Sequence, residues 1–106
     1  MPNAKFLIKG HARNDLAQIR KYTIENWGEA QWLVYKEYIF QNLQNLANNP
    51  TIGNCINELS ENAFSFPLKD HIIYYLLNKN KIIIVGIIST NLAPEKHLIR
   101  KNLLGK

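Results

Sequence analysis

The sequence predicts an α+β fold: a helical hairpin packed on one face of a small antiparallel sheet, in the order β-αα-βββ. Three observations predict it. Two stretches with helical periodicity follow each other with only a glycine between them. Three runs rich in Ile, Val, Tyr and Phe come after them, separated by polar turns. A short apolar run, "KFLIK", precedes them all.

The first strand is read over residues 5–9. In "ARNDLAQIRKYTIENW", Ala12, Leu16, Ile19, Thr23 and Trp27 recur at helical spacing, and Arg13, Arg20 and Lys21 stand on other sides. Gly28 interrupts the pattern. "EAQWLVYKEYIFQNLQNLANNP" is a second, longer helix with the stripe Trp32, Tyr35, Lys36, Ile39, Leu43, Leu46 and Ala47. The Lys36 stem can lie along that stripe with its ammonium in water. Pro50 cannot continue the helix. So short a connection makes the two helices antiparallel neighbours.

"TIGNCINELSEN" reads as an irregular loop, and "AFSFPL" as a strand with Phe64, Phe66 and Leu68 alternating. Residues 71–90, "HIIYYLLNKNKIIIVGIIST", make two strands joined at Asn78, Lys79, Asn80 and Lys81. Both strands are apolar on both faces. The helical hairpin covers one face; the short terminal segment could cover part of the other and a partner the rest, since exposed apolar patches commonly mark a partner site. "NLAPEKHLIRK" reads as a short terminal helix with Pro94 in its first turn.

With 106 residues, one domain over 1–106 is expected. At 46% hydrophobic residues a packed core is within reach, and disorder is excluded. The longest apolar run, 82–88, is far too short to span a membrane, and the N-terminus lacks a signal-peptide pattern. A cytoplasmic location follows as the expectation. It agrees with the lone Cys55, which has no second thiol for a disulfide or metal pair.

The net charge of +5 favours acidic partners such as nucleic acid, an acidic protein surface or a nucleic-acid-bound enzyme. The cations cluster at Lys5, Lys9 and Arg13, at Arg20 and Lys21, and at Lys96, Arg100, Lys101 and Lys106. The chain lacks a glycine-rich phosphate loop and a nucleophile constellation. His11, His71 and His97 lack metal-ligand spacing, so no catalytic residue, metal or cofactor is assigned. The arginines are only Arg13, Arg20 and Arg100, and the sheet region 63–89 holds none. Metal-free RNA cleavage needs an acid, a base and cations for the developing phosphorane charge. His71, Tyr74, Tyr75 and turn lysines are a poor set for that purpose.

Several phrases then converge in order over residues 6–98: "ARNDLAQIRKYTIENWGEAQ", "NLANNPTIGN", "SFPLKDHIIYY" and "APEKHL". Together they resemble the ParE toxins of the ParE/RelE superfamily of bacterial toxin–antitoxin modules. The resemblance implies the β-αα-βββ fold and a ParD-like antitoxin. That partner would lay a C-terminal segment along the helices and the open sheet face, in a hetero-oligomer. It implies inhibition of DNA gyrase by binding, without covalent chemistry, so that DNA is met only through gyrase or the antitoxin.

Where family members often carry arginine, this chain has Phe64 and Leu76. Where many have His and Arg after the last strand, it has Ser89 and Asn91. A serine cap usual near Lys9 is missing. These departures remove positive charge from the sheet and speak against the alternative, a RelE-like ribosome-dependent mRNA endonuclease. A third reading is a non-toxic relic that still binds antitoxin. By the family's arginine positions, Ile72, Tyr74 and Leu76 face away from the hairpin, and Ile73, Tyr75 and Leu77 face it. The antitoxin-contacting residues expected on this basis are Phe64, Ile72, Tyr74, Leu76 and Ile87. The gyrase-contacting residues expected are Lys96, His97, Arg100 and Lys101.

Overall fold

The computed structural model describes residues 5–56, 61–79 and 81–91. The terminal segment read as a helix lies outside these residues, as do Lys96, His97, Arg100 and Lys101. Strand β1 is Lys5–Ile8, followed by helices α1 (Gly10–Trp27) and α2 (Glu29–Asn48). A single 3₁₀ turn, Pro50–Ile52, leads to a two-residue strand β2 (Asn54–Cys55). Strands β3 (Ala63–Pro67), β4 (His71–Asn78) and β5 (Lys81–Ser89) complete the order.

The five strands form one sheet in the order β1-β5-β4-β3-β2. The expected hairpin and strands are present, with two refinements. β1 lies parallel to β5, from Lys5 opposite Lys81 to Ile8 opposite Ile84, so the sheet is mixed. Part of the expected loop, Asn54 and Cys55, pairs antiparallel with Ser65 and Phe64 and adds an edge strand.

Gly28 explains why the hairpin turns so tightly. Its φ of 93° is a conformation that residues with a Cβ avoid. There its N–H closes α1 on the Ile24 carbonyl at 3.0 Å, and its own carbonyl accepts from Trp32 in the first turn of α2 at 3.3 Å. One residue thus ends one helix and begins the next.

The main core lies between helices and sheet. Ala12 and Ile19 of α1 and Trp32, Ile39, Leu43, Leu46 and Ala47 of α2 meet Phe64, Leu68, Ile73, Tyr75, Ile82, Ile84 and Ile87. Phe6 of β1 packs edge-on against Phe40 of α2 at 6.3 Å. Trp27, expected on the buried stripe of α1, is 70% exposed instead. Trp27 is the last residue of α1, and its ring extends into solvent at the helix end. No described helix is long and apolar enough to cross a membrane.

Candidate functional site

The alternation of β4 divides its side chains as the resemblance implied. Ile73 and Tyr75 join the helix-side core with Leu77 packed against it. Ile72, Tyr74 and Leu76 belong to a second cluster on the opposite face, with Ile56, Ala63, Ile83, Val85 and Ile88. Its clustered residues are apolar, and strand alternation adds Lys5, Leu7 and Lys81 to the same face. It is not the open platform expected, however. Tyr74 is 2% exposed, and Ile56, Val85 and Ile88 are buried with it. Of the clustered residues, Ile72, Leu76 and Ile83 keep partial exposure.

Two expected antitoxin residues sit on the other side of the sheet. Phe64 stacks on Tyr75 at 5.4 Å with the rings 12° apart, under the helices. Ile87 is also in the helix-side core. Its displacement has a local cause. Tyr74 faces Gly86 but Tyr75 faces Ile84, so Val85 is an extra residue in β5. Such a bulge shifts the alternation by one. Ile83 and Val85 keep to the second face, and beyond the bulge Ile88 joins them while Ile87 turns to the helices.

Periodicity alone did not point to a polar corner that ties α2 to β4. The Tyr35 hydroxyl and His71 Nδ1 are 2.7 Å apart. Tyr38 stacks on Tyr35 at 5.7 Å. Burial, with the nearby Asp70 and Tyr38 adding to it, pushes the Tyr35 phenol up to about 12. Burial also lowers the His71 pKa, outweighing the opposite pull of Asp70 and Asp15. Near neutral pH both groups are therefore neutral, and the hydrogen bond between them takes its direction from the imidazole tautomer. A neutral pair clamps two elements together but offers no charge to a developing anion.

A third feature is also structural. The Tyr75 hydroxyl donates to the Pro50 carbonyl at 2.7 Å, anchoring the turn after α2 to the sheet. Among the described residues no group of three His, Cys, Asp or Glu side chains could hold a metal ion. Exposed apolar side chains remain on the hairpin: Tyr22 and Trp27 on α1, and Leu33, Val34 and Tyr38 on α2. Val34 and Tyr38, four residues apart, share one outer face of α2.

The comparisons with known proteins agree with this architecture. A chain described as "Chromosomal ParDE TA system from P. aeruginosa" superposes with a TM-score of 0.68 at 15% identity, over 82% of this chain and 96% of that one. No match is found among curated proteins. Residues 6–92 match the family described as the ParE toxin of type II toxin-antitoxin systems, parDE. That match runs from β1 through the end of β5, over most of the sequence, and the chain belongs to the ParE toxin family.

Proposed function

We propose that this chain is a toxin that inhibits DNA gyrase by binding it in the cytoplasm, and that a ParD-like antitoxin neutralises it. The observation that carries this reading is the second sheet face. It is built from Ile72, Tyr74, Leu76, Ile83, Val85 and Ile88, with no arginine anywhere in residues 63–89. Such a face is suited to packing against protein; the lysines that alternation places on it, Lys5 and Lys81, stand together at the turn end of β5 and not around Tyr74. The neutral Tyr35–His71 pair supports the same conclusion. Family membership supports the pairing with an antitoxin.

The antitoxin segment in this reading follows the exposed face of α2 that carries Val34 and Tyr38. It then reaches the partly exposed Ile72 and Leu76 at the rim of the sheet. Lys96, His97, Arg100 and Lys101 carry the gyrase contact. The decisive experiment is a supercoiling assay with purified, antitoxin-free protein. Supercoiling should stop and cleaved DNA should accumulate. Adding antitoxin should reverse both. Undisturbed supercoiling at micromolar excess over gyrase would sink the proposal. New mRNA 5′ ends at ribosome-occupied codons would move the endonuclease reading to first place.

A further inference from the structure

We propose that one flank of α1 is a binding surface for single-stranded DNA, formed by Lys9, Arg13, Arg20 and Trp27. This goes beyond the reading above, in which DNA reaches the chain only through gyrase or antitoxin. Only the choice of DNA over RNA rests on that reading.

Arg13, Arg20 and Trp27 are spaced seven residues apart, and seven residues fall only about 20° short of two full helical turns. All three lie within α1, so they form one nearly straight row about 21 Å long. Lys9, the residue before the helix, extends the row one turn from Arg13. All four side chains are exposed, and Trp27 is the most exposed of the large apolar residues described.

The row is also free of local counter-charge. No acidic residue stands three or four positions from either arginine, the distances at which a helix pairs its charges. The two acids of α1 are engaged or placed elsewhere. The Asp15 carboxylate accepts the Ile87 N–H, and Glu25 stands four residues after Lys21.

Two guanidiniums and an ammonium in a line match a run of phosphates, and the planar guanidinium forks can grip phosphate with paired hydrogen bonds. An exposed indole at the end of that line is what distinguishes a single strand from a duplex. It offers a stacking platform to an unpaired base, whereas in a duplex every base is already stacked.

The test uses the purified full chain and a 5′-labelled oligothymidylate of about 12 nucleotides, within the usual site size for such grooves. Binding should show a salt slope of about −2, the value for three phosphates of a single strand neutralised. It should quench indole fluorescence, a signal from Trp27 because Trp32 is buried. Trp27→Ala should weaken binding about tenfold or more. The double variant Arg13→Glu/Arg20→Glu should abolish it, while circular dichroism reports an unchanged fold for both variants. Absence of binding at low salt overturns the inference. So does equal or tighter binding to a duplex or an oligouridylate of the same length, or a Trp27→Ala variant of undiminished affinity. A chain that inhibits gyrase but ignores the oligonucleotide defeats this inference alone. A chain that binds the oligonucleotide but leaves gyrase untouched defeats the gyrase reading and leaves this surface standing.

Discussion

The side-chain carboxylate of Asp15 accepts the backbone N–H of Ile87 at 2.9 Å, joining α1 to the far half of β5. β1 accompanies β5 only as far as Ile84, after which Lys9 turns the chain into α1. Among the described residues, no strand lies beside the outer edge of β5 beyond that point. The helix that displaced the strand supplies the missing acceptor. Asp15→Leu should orphan this N–H and cost about 1–3 kcal/mol of stability. Asp15→Asn keeps an acceptor and should cost less. Chemical denaturation of the two variants checks the order.

Gly53 and Tyr75 should behave as a coupled pair. A Cβ at Gly53 would collide with the Tyr75 hydroxyl and come within 2.9 Å of the Ser65 carbonyl. Gly53→Ala is therefore expected to destabilise by about 1–3 kcal/mol. Tyr75→Phe removes the donor to the Pro50 carbonyl and should cost about 1 kcal/mol. Because the phenylalanine also vacates the space, the double variant should lose less than the sum of the singles. A double-mutant cycle with strictly additive costs would refute the coupling.

Stability should fall at both ends of the pH scale. His71 has a lowered pKa in the fold, so its contribution is complete above its unfolded value near 6.5 and is lost as pH falls below it. Tyr35 and Tyr75 are raised to about 12 by burial, with Asp70 adding to the rise at Tyr35. Their contribution is complete below their unfolded value near 10 and disappears as pH rises towards 12. Melting temperatures across the range should form a plateau between these windows. His71→Gln should flatten the acid limb alone.

Tyr74 and the exposed residues of α2 should separate folding from partner binding. Tyr74→Asp places a charge where the side chain is 2% exposed and should cost about 3 kcal/mol or more, so that the chain unfolds. Val34→Asp/Tyr38→Asp alters exposed positions and should leave melting nearly unchanged while weakening antitoxin capture at least tenfold. If both variants melt normally and both bind antitoxin, the docking face lies elsewhere.

The fold was legible where a pattern repeats. The stripe of Trp32, Ile39, Leu43 and Leu46 and the alternation of Ile73, Tyr75 and Leu77 are repeats of 3.6 and two, and both place residues correctly. What escaped depends on single events. Val85 interrupts an unbroken apolar run, so nothing in "IIIVGII" marks which residue is the extra one, and Ile87 was assigned to the wrong face. The departure of Phe64 from the family's arginine was visible, but its stacking under the helices on Tyr75 was not. The Tyr35–His71 bond joins residues 36 positions apart and leaves no local signature. The row Arg13, Arg20 and Trp27 was legible in part, since the two arginines stood off the apolar stripe while Trp27 was counted on it.

The parallel pairing of β1 with β5 has a consequence for when the molecule comes into being. β1 emerges from the ribosome first, and Lys5 must wait for Lys81 before it has a neighbour. β4 likewise gains its longest pairing only when β5 arrives. Until then the nascent chain holds two helices and an unfinished sheet whose non-local contacts have yet to repay their loop-closure entropy. A polypeptide abandoned before β5 would lack the strand that joins both halves of the sheet. A sheet built on this plan closes only when its last strand has been made.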